Sequence, residues 1–132
     1  MIGIVIVSHS HKIADGVIEL SSQMAQSNIN IIPAAGTDDG RIGTDVIKIK
    51  NAIIKADTGE GVIVLADIGS SVMSTEMAFE MLDDELRQRV FIADAPLVEG
   101  AIGAVVQVSI GGDLNQVKKA AEEAKTIVKI IN

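Results

Sequence analysis

Short apolar runs that alternate with helix-like segments are the feature that most restricts the possible folds of this sequence. Residues 2–7 and 61–67 are two such runs, rich in Ile and Val. Runs of this length and composition indicate strands buried on both faces, as in parallel sheets covered by helices. His9 follows shortly after the first run, and Asp67 ends the second. Because parallel sheets bind ligands at the carboxyl ends of their strands, both residues are candidates for a functional site.

Segments with helical periodicity connect four predicted strands. The strands are expected over residues 2–7, 29–32, 61–67 and 89–93. Helices are expected over about residues 13–27, 44–57, 70–81 and 97–110, and from 113 onward. Asn28 is expected to close the first helix, and Pro33 to end the second strand. Because strands joined by helices form parallel sheets, the sequence predicts an α/β three-layer sandwich. Its mostly parallel four-stranded sheet has the predicted order 2-1-3-4, with helices on both faces.

The predicted core consists of aliphatic side chains. Hydrophobic residues make up 48% of the 132-residue chain, with two Phe and no Trp or Tyr. Four residues of the third helix are expected to contribute to this core: Val72, Met73, Met77 and Met81. Ser70 or Ser71 is the expected N-cap of that helix, and Asp113 that of the last helix. Residues 127–131 either continue the last helix or form a fifth edge strand. A chain of this length, 1–132, is expected to be a single domain.

The composition argues against several classes of function. The absence of cysteine rules out disulfides, thiolate metal ligands and cysteine nucleophiles. The formal net charge is −7, and the lysines near the end of the chain alternate with glutamates, so no nucleic-acid partner is expected. No apolar run approaches the roughly 18 residues of a membrane span, and no basic region precedes the first strand. We therefore expect a cytoplasmic protein without a membrane partner.

The predicted sheet order brings His9 and Asp67 to one crevice, because the first and third strands are neighbours in it. A carboxylate bonded to one imidazole nitrogen leaves the lone pair of the other nitrogen free for nucleophilic attack. Asp67 is therefore expected to fix the tautomer of His9. Phosphate fits a turn at a helix start, where backbone N–H groups and hydroxyls are available. The candidate phosphate ligands are Ser10, Gly69, Ser70 and Ser71.

The same residues have a simpler interpretation. A histidine at a strand end can cap the next helix or bond a loop carbonyl, and Asp67 and Ser70 can cap the third helix. Taken alone, these residues leave both interpretations open.

Four segments spread over the chain carry a family resemblance. They are the Val7–Ser10 end of the first strand, the loop 34–45, the turn 67–70 and the segment 95–100. Together they resemble the DhaM family, the phosphotransferase subunits of phosphoenolpyruvate-dependent dihydroxyacetone kinases. DhaM is in turn similar to the mannose-class IIA components of sugar phosphotransferase systems. Those components share the fold and a phosphorylated histidine after the first strand.

The resemblance implies a phosphoryl carrier. His9 matches the family's phosphorylated histidine, which receives phosphate from phospho-HPr on Nε2. Asp67 matches the carboxylate beside it, and residues 69–71 match the phosphate-binding turn. Phosphate then passes to ADP held by the DhaL subunit, and the ATP formed there phosphorylates dihydroxyacetone on DhaK. The family also implies a homodimer with no cofactor. Since the sequence ends at Asn132, a separate HPr is expected.

The alternative within this resemblance is a mannose-class IIA component that donates phosphate to a IIB component. Those components usually carry further aromatic and glycine residues after the matching aspartate. Ile68 and Ser71 stand in that region here, which favours DhaM.

The loop before the second helix has two interpretations. Its Gly36, Thr37, Gly43 and Thr44 are expected to shape the surface that recognises DhaL. Its acidic residues Asp38, Asp39 and Asp45 suggest a metal site, but a flexible acidic loop is the preferred interpretation, and no metal is expected. His11 lies past the strand end, so a position facing solvent or next to phosphate is expected, in place of a second acceptor.

Two other classes of protein fit the sequence poorly, and a third stays open. A flavodoxin-like module normally stacks aromatic side chains on its flavin, and this chain has no Trp or Tyr. A response-regulator receiver needs an acidic pair after the first strand, where this chain has Ser8, His9 and Ser10. A purely structural homo-oligomer stays open on the sequence alone.

Overall fold

The computed structural model of the protein describes residues 1–131. The strands are β1 (Gly3–Ser8), β2 (Ile31–Ala35), β3 (Val62–Ala66) and β4 (Val90–Ile92). The helices are α1 (His11–Ser22), α2 (Val46–Ala56), α3 (Ser70–Phe79), α4 (Asp84–Arg87), α5 (Leu97–Ser109) and α6 (Leu114–Glu122). A 3₁₀ turn, Glu123–Thr126, follows α6.

The four strands form one parallel sheet in the order β2-β1-β3-β4. This confirms the predicted α/β class and strand order. Val7 of β1 is paired with Ala66 of β3, so the two central strands end side by side. The residues that follow these two strands therefore share one edge of the sheet.

Side chains alternate between the two faces of the sheet and build two apolar layers. Ile4, Ile6 and Leu65 belong to the cluster shared with α1, α5 and α6. Val5 and Val64 belong to the cluster shared with α2, α3 and α4. The central strands are buried on both faces, which is why they appear in the sequence as continuous Ile and Val runs.

The predicted boundary between the first helix and the second strand was wrong. α1 ends at Ser22, and β2 begins at Ile31 and includes Pro33, which is paired with Ile6. β2 is an edge strand, and one side of an edge strand has no neighbour to receive an N–H. A proline is therefore tolerated inside it. Turns that use the carbonyls of Ser21 and Ser22 end the helix before the predicted Asn28.

The predicted apolar face of the third helix was right for Val72, which is partly buried against the core, and wrong for the three methionines. Met73, Met77 and Met81 are exposed, and the face of α3 buried against the sheet carries small residues: Ser71, Ser74, Thr75 and Ala78. Their hydroxyls have partners, as in the bond from Thr75 Oγ1 to the Ser71 carbonyl at 2.7 Å. The spacing of three and four residues correctly predicted a helix, but its buried side carries the hydroxyl residues and not the methionines.

Of the two predictions for helix N-caps, one was confirmed and one was wrong, and neither prediction for residues 127–131 was correct. Asp113 caps α6 in a capping box with Gln116, as predicted. The N-cap of α3 is Gly69, which has no side chain to cap with, so neither Ser70 nor Ser71 has that role. Residues 127–131 form neither helix nor strand, and the described part of the chain contains four strands and not five.

A close backbone contact in the core predicts how a glycine substitution changes the stability of the protein. A Cβ at Gly3 would lie 2.2 Å from the carbonyl oxygen of Ala56, a backbone atom that cannot rotate away. We expect Gly3→Ala to lower the free energy of unfolding by about 2 kcal/mol, measured by urea denaturation. A Cβ at Gly16, inside α1, meets no atom within 4 Å. Gly16→Ala should therefore raise stability by about 0.5–1 kcal/mol, because alanine restricts the unfolded chain. Equal effects of the two substitutions would contradict the prediction.

Candidate active site

The carboxyl ends of β1 and β3 place His9 and Asp67 together. His9 lies between the last residue of β1 and Ser10, whose hydroxyl caps α1 by accepting from the Ile13 N–H at 3.4 Å. Asp67 follows β3 directly, and its N–H donates to the Val7 carbonyl at 3.0 Å. Gly69 then turns the chain into α3 with a φ of +56°, a conformation that favours glycine.

Asp67 is the centre of the site's hydrogen-bond network. Its Oδ2 accepts from the Ser8 hydroxyl at 2.8 Å and from the His9 backbone N–H at 3.0 Å. Its Oδ1 accepts from the Ile68 N–H at 2.8 Å and from the Ser71 hydroxyl, and lies 3.0 Å from His9 Nδ1. The carboxylate is thus held in one orientation by groups on both strand ends.

The same contacts determine the charge of Asp67. Burial by itself would raise the pKa of this carboxyl. Hydrogen bonds from Ser71, the His9 backbone, Ser8 and the His9 ring outweigh burial and lower the pKa from 3.8 to about 2. Asp67 is therefore an anion throughout the physiological pH range.

The two ring nitrogens of His9 have different surroundings. Nδ1 faces Asp67, an ionised carboxylate that can only accept hydrogen bonds, so this contact favours the tautomer of the neutral ring with its proton on Nδ1. Nε2 lies 2.7 Å from the hydroxyl of Ser70, which is exposed. The His9 side chain is 27% exposed. In that tautomer the free lone pair belongs to Nε2, the nitrogen on the open side of the site.

The predicted phosphate ligands lie in different places. Ser70 contacts Nε2, whereas the buried hydroxyl of Ser71 contacts Asp67 and lies 3.1 Å from Nδ1. Within residues 1–131, no hydrogen bond uses the N–H of Gly69 or of Ser70. Those two N–H groups, at the start of α3, are available to an anion. The hydroxyl of Ser10 is engaged in capping α1.

Sequence reasoning missed Ser8 as part of the site. Its side chain is fully buried, donates to Asp67 and accepts from the Ser10 N–H at 3.1 Å. A hydroxyl residue as the last residue of an otherwise apolar strand was the available signal.

The loop after β2 is tied to the backbone of the site. The Gly36 N–H donates to the Ser8 carbonyl at 3.1 Å, and the Gly43 N–H to the His9 carbonyl at 3.0 Å. Thr44 Oγ1 lies 2.8 Å from the Ser74 hydroxyl of α3. Thr37 is partly buried at the loop's internal turn, where its N–H donates to the Arg41 carbonyl at 3.0 Å. These contacts hold the loop beside His9.

The remaining candidates have local partners. Asp45 caps α2 by accepting from the Lys48 N–H at 3.1 Å, Asp39 pairs with Arg41, and Asp38 lies 3.5 Å from Lys48 Nζ. His11 is exposed in the first turn of α1, with Nε2 3.4 Å from the Thr37 carbonyl. Among residues 1–131, no group of three or more His, Cys, Asp or Glu side chains is arranged to hold a metal ion.

The fold described above is that of a class of phosphotransferase-system components. The chain belongs to the family described as "PTS system fructose IIA component", whose model matches residues 3–118. A crystal structure of a phosphotransferase system component EIIA from Streptococcus agalactiae has the same fold, with a TM-score of 0.69, 15% identity and coverage of 98% of this chain and 97% of that one. A crystal structure of a protein of unknown function, EF1359, superimposes with a TM-score of 0.81 at 36% identity, over 92% of this chain and 93% of that one.

Within this family the chain is placed among the DhaM subunits. It is 46% identical to the phosphoryl donor subunit DhaM of the PEP-dependent dihydroxyacetone kinase 2 of Listeria innocua, over 81% of this chain and 86% of the relative. It is 35% identical to the phosphotransferase subunit DhaM of Lactococcus lactis, over 92% of this chain and 94% of the relative. The Escherichia coli DhaM is 42% identical over 89% of this chain, which spans only 25% of that longer protein.

No helix in the described part of the chain has the length and apolar character needed to cross a membrane.

Proposed function

We propose that this protein is the phosphoryl donor subunit of a phosphoenolpyruvate-dependent dihydroxyacetone kinase. In this proposal, His9 accepts a phosphoryl group from phospho-HPr and passes it to ADP held by DhaL, for phosphorylation of dihydroxyacetone on DhaK. The observation that carries the proposal is the geometry of His9, with Nδ1 on an ionised carboxylate and Nε2 on the open side. The DhaM relatives supply the system in which such a carrier works.

The proposed transfer uses the two nitrogens for separate tasks. The Nε2 lone pair attacks phosphorus, the P–N bond of the donor phosphohistidine breaks, and its electron pair returns to the donor ring. The acceptor ring gains positive charge while Nδ1 keeps its proton, and the negative charge of Asp67 offsets that gain. For the second transfer, an oxygen of ADP attacks phosphorus and the P–Nε2 bond breaks. Phosphoryl transfer depends mainly on such positioning and charge stabilisation.

The start of α3 fits the charge that develops on the transferred group. The free N–H groups of Gly69 and Ser70 lie at the helix N-terminus, and the hydroxyl of Ser70 lies 2.7 Å from Nε2. Such donors stabilise phosphoryl oxygens in the transition state. The hydroxyl of Ser70 must give up its hydrogen bond with Nε2 when a phosphoryl group binds to that nitrogen.

The surroundings of the site suit protein partners. Ile68, next to Asp67, is 78% exposed, and Met73 and Met77 are 64% and 58% exposed on the outer face of α3. Exposed apolar side chains next to a reactive group are typical of a surface that a protein partner covers. As the DhaM resemblance implies, we also propose that the protein is a cytoplasmic homodimer that needs no cofactor or metal of its own.

The second candidate function is that of a mannose-class IIA component donating to a IIB component of a sugar transporter. The matching family model supports this candidate, because its description names a IIA component of a fructose phosphotransferase system.

A transfer experiment separates the two functions. The protein is phosphorylated with labelled phosphoenolpyruvate, enzyme I and HPr, isolated, and offered to ADP-loaded DhaL or to a mannose-class IIB component. We expect label to leave the protein with DhaL and to appear in dihydroxyacetone phosphate once DhaK and dihydroxyacetone are added. Transfer to IIB with none to DhaL would replace our proposal by the second candidate.

A further inference from the structure

We propose that Ser71 is a positioning residue that, together with Asp67, keeps the proton of His9 on Nδ1 and so directs the phosphoryl group to Nε2. The tautomer part of this inference concerns the unphosphorylated protein. The part about the site of phosphorylation rests on the proposed function.

The hydroxyl of Ser71 lies where it can act on both partners. It donates to Asp67 Oδ1 and lies 3.1 Å from His9 Nδ1, while Nδ1 itself lies 3.0 Å from the same Oδ1. The three groups therefore form a closed triangle of hydrogen-bonding atoms. Ser71 is fully buried, so water does not compete for this hydroxyl.

The available hydrogen atoms determine the direction of the hydrogen bonds among these three groups. An ionised carboxylate has no hydrogen to donate, so the single hydroxyl hydrogen of Ser71 is used on Asp67. Toward His9, the Ser71 oxygen then presents only lone pairs. An Nδ1–H group is satisfied by both oxygens, whereas a bare Nδ1 could gain a donor only if Ser71 withdrew its hydrogen from Asp67, which would cost the carboxylate that bond. The Nε2–H tautomer is therefore disfavoured by Ser71 as well as by Asp67.

On the other side of the ring, Ser70 favours the same tautomer of His9. With Nδ1 protonated, Nε2 is an acceptor, and the Ser70 hydroxyl 2.7 Å away can donate to it. The two consecutive serines thus contact opposite nitrogens of one imidazole. Ser70 is exposed and can be displaced by an incoming phosphoryl group, whereas Ser71 is buried and stays in place.

Local structure holds Ser71 in this position. Its N–H donates to the Ile68 carbonyl at 3.2 Å, and its carbonyl accepts from Thr75 Oγ1 at 2.7 Å. In Ser71→Ala, the Asp67 carboxylate keeps the Ile68 N–H and the Ser8 hydroxyl as donors. We therefore expect the alanine variant to fold.

The test measures the His9 tautomer in the unphosphorylated protein by ¹⁵N NMR of the ring nitrogens. We expect Ser71→Ala to raise the Nε2–H population about fivefold, because one hydrogen bond that favours Nδ1–H is lost. Ser71→Thr retains the hydroxyl and should restore the wild-type nitrogen shifts. Ser74→Ala is the matched control, since Ser74 lies on the same buried face of α3 but bonds Thr44.

A second measurement reads the position of the phosphoryl group. After phosphorylation through HPr, ³¹P NMR should show only the Nε2 isomer in the wild type, and a slower reaction with some Nδ1 isomer in Ser71→Ala. The inference is overturned if Ser71→Ala keeps the wild-type ring shifts, even if its phosphorylation is slow, because the residue would then be merely structural. If Ser71→Ala does not fold, wild-type shifts in Ser71→Thr support the inference, and a changed tautomer there overturns it. A wild type that accepts no phosphate from HPr would refute the proposed function and leave the tautomer result standing.

Discussion

Replacement of His9 by alanine should abolish phosphorylation of the protein by the enzyme I and HPr relay. In our proposal the nucleophile is Nε2 of His9, on the open side of the site, and alanine has no atom that can take its place. The measurement is the acid-labile, base-stable label that the protein retains from labelled phosphoenolpyruvate. We expect the label on His9→Ala to fall to the level seen without the protein.

His11→Ala is the matched control for this experiment. His11 is exposed, two residues away, and its ring lies against the loop at Gly36 and the Thr37 carbonyl, away from Asp67. We expect this variant to accept label as the wild type does. Label that persists on His9→Ala and disappears from His11→Ala would move the phosphorylation site to His11.

Replacement of Asp67 by asparagine should slow phosphorylation by about 100-fold without abolishing it. Two hydroxyls and two backbone N–H groups donate to this carboxylate, in addition to the contact with the His9 ring. In either orientation, the NH₂ group of the asparagine would face hydrogen-bond donors that the carboxylate oxygens accept from. The negative charge of Asp67 is also lost. If the NH₂ faced Nδ1, it would favour the wrong tautomer. Single-turnover phosphorylation by phospho-HPr gives the rate.

Asp94→Asn is the control for the loss of a negative charge. Asp94 follows the carboxyl end of the β4 region, close to β3, and its side chain is exposed and paired with Lys125 at 3.1 Å. We expect its rate to stay near that of the wild type. Equal losses in the two variants would show that overall charge near the site matters, and not the contact with His9.

The same substitution has a consequence for stability that depends on pH. The pKa of Asp67 is lowered in the folded protein from 3.8 to about 2. A carboxyl with a lowered pKa stabilises the fold above its unfolded pKa, and this contribution disappears as the pH falls through the folded value. It amounts to about 2 kcal/mol at neutral pH. The difference in unfolding free energy between wild type and Asp67→Asn should therefore shrink between about pH 4 and pH 2. A constant difference would contradict the low pKa.

Much of the fold could be predicted because the central strands are buried on both faces. Such strands appear as uninterrupted Ile and Val runs, and helices that connect parallel strands leave few possible topologies. In the favoured topology the first and third strands are neighbours, so the strand order alone predicts that His9 lies beside Asp67. The boundaries of β2 were harder, because an edge strand can contain Pro33, which in a central strand would interrupt the hydrogen-bond ladder.

The face of α3 shows why other features could not be predicted. A hydrophobic pattern assumes that the largest apolar residues are buried, which placed Met73 and Met77 in the core. The buried side of the helix instead carries Ser71 and Ser74, whose hydroxyls are satisfied by Asp67 and Thr44. Such partners are distant in the sequence, so no local pattern identifies them.

The sequence by itself determined the layered α/β fold, the position of His9 at a strand end and its pairing with Asp67, because burial and strand connection are encoded by local composition. Only the tertiary structure decided the directions of the hydrogen bonds. It placed the hydroxyls of Ser8 and Ser71 on the carboxylate and that of Ser70 on Nε2. The physical reason is that a hydroxyl can donate or accept, and its role depends on which groups from distant segments surround it.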